Sequence, residues 1–442
     1  MTVRIVGPVS HCDHCSARAR GAISLFLRMV RLLRPGKRTC NDIVLVTLIA
    51  VATLPSSTNA QLAIKGETVY TMAGAPIRDG VVLVKGQKIE RVGPAASIAI
   101  PAKYRVMTAK VVTPGLIDAR SVVGLSGIYN YPHDQSQLEK SDPMQPELRA
   151  IDAYNPREQL VEWVRNLGIT TLHTGHAPGA LASGTTIVVK TVGNTVSEAL
   201  VDSVGMVAFT LGESVSNNYK SPGTRAKAVA MIRSDFLKTK DYIKNRKNKD
   251  PEKRPAPDLK LEMLARVLNG EVKALVTAHQ ATEIMTALRL QKEFGFKMVL
   301  DGAAEAYLLP EEIKKSGVPV ILHPTMARSG GDTRNVSFET AAKLKQAGIF
   351  FAIQSGYESY VPKTRIVLYE AAIAAANGLA FEEALASITI NAARIIGVDK
   401  RVGSLESGKD GDVVLFDGDP FEYTTHCVGT VIDGVQFAGA PR

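Results

Sequence analysis

The chain has 442 residues, 45% of them hydrophobic and 22% charged, which is too long for one small core and suits a large α/β domain with a smaller satellite. The formal net charge is +10, but residues 1–60 hold eight Lys+Arg against two Asp+Glu, leaving 45 against 41 in the remainder. That small excess excludes a nucleic-acid footprint.

Residues 1–60 read as a presequence. The uncharged apolar run IVLVTLIAVATL, 43–54, follows Arg31, Arg34, Lys37 and Arg38 and precedes SSTNA. It is shorter than the roughly 20 residues that span a bilayer, and its flanks are those of a secretory signal peptide ending at Thr58-Asn59-Ala60. Counted from Met29 rather than Met1, the signal has ordinary proportions. The expectation is a periplasmic or secreted chain with no membrane insertion after cleavage. Cys12, Cys15 and Cys40 lie in this segment, so the mature chain keeps only Cys427 and has no internal disulfide. The HCDHC stretch at 11–15 has no second ligand pair at zinc-finger spacing.

Residues 61–113 alternate as β-strands with Asp-Gly and Gly turns, and the same texture returns in DVVLFDGDP and GTVIDGVQFAG. The two ends, 61–113 and 400–442, are expected to build one small β-sandwich. Between them, 114–399 alternates strands and helices. Candidate strands are VVTPGLID, GITTLHT, TTIVVKT, GMVAFTL, VKALVTA, FKMVLDG, VPVILHP and IFFAIQS, with their apolar residues running together as in parallel strands buried on both faces. Helical segments between them often end in Gly. Eight such steps predict a (β/α)₈ barrel, with chemistry at the C-terminal ends of its strands. A basic stretch, 213–260, with a helical first half and a Pro-rich exit, reads as an excursion over the barrel mouth.

Four histidines fall at predicted strand ends: His173 and His176 in LHTGHAPG, His279 in VTAHQAT and His323 in ILHP. Neutral imidazoles there would serve a metal, and His173, His176 and His279 are the candidate ligands, with Lys190 at the end of TTIVVKT as an adjunct. A divalent ion, zinc before others, would acidify a bound water. Asp118 and Asp301 follow strands and could act as ligand, base or helix cap. Glu283 and Glu305 fall in the helices that follow. There is no P-loop, and GLSG at 124–127 is not a nucleophile elbow.

VVTPGLIDAR, AHQATEI and the tail NAARIIGVDKRVGSLESGKDGDVVLFDGDPFE resemble the amidohydrolase superfamily over about residues 62–440, and within it the secreted imidazolonepropionase-related branch. The resemblance implies a barrel with a sandwich from both ends. It also implies a metal motif, PGLIDxHxH, whose histidine positions are Arg120 and Val122 in this sequence. His279 matches the family's strand-five ligand, Gly302 stands where the strand-six histidine is expected, and Lys190 is a weak match to the bridging lysine of some members. FAIQSGYES has no strand-eight Asp, and Glu358 is the nearest acid. Arg120 can neither ligate a cation nor give up its proton. Two readings follow. One is a secreted hydrolase of C–N bonds in non-peptide or short-peptide amides with an altered metal site, Arg120, His176 and His279 catalytic and Arg120 and His323 on the substrate. The other is an inactive barrel whose Arg120 holds an anionic small molecule or partner. Family members often assemble, so the resemblance implies a homo-oligomer, although the sequence shows no interface.

Overall fold

The computed structural model describes residues 61–129, 131–357 and 366–438. The expected signal segment, the HCDHC stretch and Glu358 lie outside the described residues. Strands β1 (Gln61–Val69), β2 (Ile77–Lys85), β3 (Lys88–Pro94) and β4 (Arg105–Pro114) come first. The barrel segment contributes β5 (Leu116–Ser121), β6 (Ile169–Gly175), β7 (Ala182–Lys190), β8 (Leu200–Asp202), β9 (Met206–Thr210), β10 (Lys273–Ala278), β11 (Met298–Gly302), β12 (Val320–Leu322) and β13 (Phe351–Ile353). The chain then returns through β14 (Val413–Phe416), β15 (Cys427–Ile432) and β16 (Val435–Ala438).

The two ends form one seven-stranded sheet, β16-β15-β14-β4-β1-β2-β3. Alternation gives each strand one apolar face, and Leu62, Ile64, Val82, Val84, Val112, Val413, Leu415 and Val431 meet in a core of their own. The second sheet runs β13-β12-β11-β10-β9-β7-β6-β5, with β8 on β7. It curls into the expected TIM-like barrel. Its two edge strands are joined by Ser355 N–H donating to Asp118 Oδ1 at 3.0 Å and Gly356 N–H donating to Arg120 O at 3.1 Å.

One strand departs from the all-parallel expectation. β7 is antiparallel to both β6 and β9, so its C-terminal end points to the floor of the barrel rather than the mouth. The six residues 176–181 that join β6 to β7 are too few for a parallel crossover, which takes a dozen or more, and suffice for an antiparallel return.

Inside the barrel, Ile117, Ala119, Val188, Met206, Leu275, Val299, Ile321 and Ala352 form an apolar layer. Ala392, Ala393, Ile395 and Ile396 of the helix Ile390–Ile396 close it from below. Lys273, at the start of β10, donates to Ile395 O at 2.7 Å, which fixes that helix at the N-terminal end of the strands. The opposite end is therefore the mouth.

Only the first part of the basic stretch lies at that mouth, where the Glu213 amide donates to Asp332 and the Arg225 side chain to Thr282. Its main element, α1 (Arg225–Arg246), lies on the outer wall of the barrel with Phe236 edge-on to Phe209, Phe294 and Phe296. Its charged residues face outward because the apolar stripe of Val229, Ile232 and Phe236 has a wall to cover. Among the described residues no helix is long and apolar enough to cross a membrane.

Candidate active site

The residues above the apolar layer are polar and buried. Alternation along each strand puts His173 and Thr186, Thr277 and Asp301, His323 and Gln354 at this level. Arg120 joins them from β5 and is only 2% exposed. Its Nη2 donates to His176 O, and its Nη1 reaches Ser121 O at 3.4 Å. Burial pulls the guanidinium below its usual range, and the charges of Asp301 and Asp118 push it back. Asp118 accepts from Ser355 Oγ, from Ser355 N at 3.0 Å and from Arg120 N at 3.2 Å. Burial outweighs these bonds and lifts its carboxyl to about 6. Asp301 accepts from Thr277 Oγ1 at 2.5 Å and from Gln354 Nε2 at 2.7 Å.

The four histidines divide into one structural group and three open ones. His173 is fully enclosed, with Nδ1 2.6 Å from Ala119 O and Nε2 2.6 Å from Thr186 Oγ1. A carbonyl only accepts, so Nδ1 carries the proton and Nε2 takes the hydroxyl's. Burial, with Arg120 adding to it, holds this ring neutral down to about 3. His323 has the same tautomer, Nδ1 donating to Pro324 O at 2.7 Å, but its Nε2 is buried with no partner. Burial lowers its pKa to about 4, so that nitrogen keeps a free lone pair at neutral pH. His279 Nδ1 is buried without a partner, and both ring nitrogens of His176 are too. Burial lowers the pKa of His279 against the pull of Asp301 and Asp332, and that of His176 to about 4.

Two glycines make room for these rings. At Gly302, where φ is +78°, a Cβ would stand 2.5 Å from His279 Cε1. At Gly184, where φ is +120°, a Cβ would stand 2.6 Å from His176 Cδ2. A cavity of about 290 Å³ opens at the rim, lined by Thr210, Glu213, Arg225, Gln280, Glu283 and Asp332 among others, and Arg120, His176, His279 and His323 are not part of its lining. Glu283 accepts from the His279 and Gln280 amides at 3.1 Å each, capping the helix α2 (Ala281–Phe294), and burial raises its carboxyl to about 7.

Residues 174–439 match the amidohydrolase family. The chain belongs to that family. A solved amidohydrolase from Thermotoga maritima MSB8 superposes on it with a TM-score of 0.80 at 29% identity, covering 85% of this chain and 100% of that one. The 5-methylthioadenosine/S-adenosylhomocysteine deaminase of Moorella thermoacetica is 23% identical over 397 residues, 81% of this chain and 86% of that protein. Amidohydrolase tasK of Hapsidospora irregularis is 23% identical over 380 residues, 78% of this chain, which spans only 38% of tasK.

Against the amidohydrolase frame, the expected ligand set His173, His176 and His279 is not assembled. Both nitrogens of His173 are spent on the barrel wall, and among the described residues no three His, Cys, Asp or Glu groups converge to hold an ion. Lys190 is also corrected. Because β7 runs backwards, its ammonium lies at the barrel floor, bound by Asp410 at 2.8 Å, Asp412 at 3.1 Å and Asp433. The residues present therefore do not fit a caged divalent ion while Arg120 stands among them. Arg120, His176, His279 and His323 do all lie at the mouth level, as the sequence indicates. Sequence reading missed Gln354 and Ser355. The signal available was the strand-eight segment itself, where the expected Asp is absent and two hydrogen-bonding side chains stand instead.

Proposed function

We propose that the chain hydrolyses C–N bonds of small amides, in the imidazolonepropionase-like branch of its family, with imidazoles rather than a caged ion activating water. The observation that carries this reading is His323 Nε2, an unprotonated, buried nitrogen without a partner, beside His279. A buried acceptor left unmade costs about 1–3 kcal/mol, so the site is built for a group that comes and goes. In this reading a water hydrogen-bonded to His323 Nε2 attacks the amide carbonyl carbon. The water proton passes to Nε2, whose imidazolium keeps the Nδ1–H bond to Pro324 O. The Arg120 Nε–H, also buried without a partner, faces the developing oxyanion. The proton then moves to the departing nitrogen as the C–N bond breaks, giving a carboxylic acid and an amine. The alternative of an anion-binding barrel is weaker, because Asp118 and Asp301 already balance the guanidinium. Residues 43–54 support export to the periplasm or medium, which N-terminal sequencing of the mature protein would show as a start at Gln61.

Assay of the mature protein against N-acyl amino acids, dipeptides and cyclic amides tests the activity. At least one should turn over, with kcat/KM falling about 100-fold or more in His323→Gln, the usual weight of a general base. No turnover on any of the three classes sinks the reading.

A further inference from the structure

The rim cavity of about 290 Å³ has a chemistry of its own. The end of β9, the first turns of α1 and the start of α2 build its walls. One side is apolar, with Leu181, Leu211 and Val229 all buried. The other side carries carboxylates. Glu283 is only 2% exposed, and one of its oxygens, Oε2, accepts from the His279 and Gln280 amides. Its Oε1 has no partner among the described residues, and Glu283 is part of the cavity lining. Asp332 accepts from two neutral donors, the Glu213 amide at 2.6 Å and Gln280 Nε2 at 3.1 Å. The one cation in the lining, Arg225, is exposed and donates to Thr282 Oγ1 rather than to either carboxylate. A buried carboxylate with no counter-charge in contact is costly. Burial raises the Glu283 carboxyl to about 7; the two amides and Arg225 oppose the rise and Asp332 adds to it. A positive head in this cavity would relieve both acids. A metal ion does not suit them, because among the described residues no three His, Cys, Asp or Glu groups converge on one point. An alkylammonium does, since its three N–H donors reach separated acceptors while its carbon body covers the apolar side.

We propose that the rim cavity is a binding site for a small organic ammonium, its head held by Glu283 Oε1 and the Asp332 carboxylate and its alkyl body laid against Leu181, Leu211 and Val229. Such a ligand stays protonated at neutral pH, as a lysine side chain does. The cavity is of the size that takes a small ligand. Selectivity follows from the charges: an anion of the same shape meets two carboxylates, and a neutral analogue gains only the apolar wall.

The full chain is titrated with n-butylammonium, n-butyrate and n-butanol, probes of nearly one shape and three charges, and binding is followed by ligand NMR line broadening. Butylammonium should saturate at about millimolar concentration, with the other two at least about tenfold weaker. Glu283→Gln keeps an acceptor for the two amides and removes the charge, so butylammonium should bind about tenfold more weakly or worse. Arg225→Gln should tighten it, because only a repelling charge is lost. Butyrate binding as tightly as butylammonium, no saturable butylammonium binding, weakening in Arg225→Gln, or a folded Glu283→Gln that binds as the wild type does would overturn the proposal. If Glu283→Gln does not fold, the order of the three probes on the wild type decides it. No amide is present, so failure here is distinct from failure of the hydrolase reading.

Discussion

Gly302 shows how one missing side chain redirects another. The sequence reads as a ligand position left without its histidine. In the fold, the space above Gly302 is filled by the His279 ring, so the two positions act as one unit. A Cβ at Gly302 would need both a left-handed backbone, φ +78°, and 2.5 Å of space already occupied by His279 Cε1. Gly302→Ala is therefore expected to destabilise the protein by about 2 kcal/mol or more, combining backbone strain with a clash. Shortening the ring relieves only the clash. In a His279→Ala background the same substitution should cost at least about 0.5 kcal/mol less, a coupling that urea denaturation of the four proteins measures directly. Additive costs would mean that His279 does not rest on Gly302.

At the scale of elements, the reversed strand β7 decides where a charge cluster forms. Lys190 reaches Asp410, Asp412 and Asp433, which all come from the returning C-terminal segment, so one ammonium joins the barrel floor to the seven-stranded sheet. Burial works against the ammonium, but the three carboxylates outweigh it and raise its pKa. Asp410 also holds Lys88 at 2.6 Å and Arg401 at 2.9 Å, so positive and negative charges balance across the junction. Lys190→Met leaves buried carboxylates uncompensated, and breaking a buried pair in this way typically costs about 3–5 kcal/mol. The loss should be local before it is global. Hydrogen exchange should quicken first in β7, β14 and β15, while β10 and β11 stay protected. A uniform rise across both sheets would show that the cluster does not act at the junction. The direction of β7 was within reach of the sequence, since even the ten residues 175–184 between the two candidate strands are too few for a crossover. The strand's own apolar run hid it, because burial on both faces erases the alternation that distinguishes one setting from another.

For the whole molecule, the barrel, the sheet from both ends and the level of the mouth histidines were legible, because they rest on periodicity, turn residues and position relative to strand ends. The pairing of Asp118 with Ser355, and of Asp301 with Gln354, was not, because those partners lie 237 and 53 residues apart and no local pattern records them. The consequence of gathering so many polar groups in one barrel is a defined response to acid. An unfolded histidine takes its proton near 6.5, whereas burial delays His173 to about 3 and His176 and His323 to about 4. Between these values the unfolded chain binds more protons, so stability falls as pH drops. Asp118 and Asp412 act in the opposite sense. Their folded values of about 6 stand above the ordinary 3.8, so the folded chain binds more protons in that window and gains stability as pH drops. Glu283, raised to about 7, acts in the same sense as these two, so all three carboxyls offset the histidines from pH 7 downward; at pH 5 the net loss relative to pH 7 is about 1 kcal/mol or more, His279 adding to it. Denaturant titrations at pH 7, 6 and 5 should show this decline, and His323→Gln should make it shallower by about a third of the joint contribution of His173, His176 and His323. Stability that holds level or rises over that range would mean that the imidazoles take up protons freely in the folded state, and the unprotonated nitrogen on which the proposed chemistry depends would then be lost at mildly acidic pH.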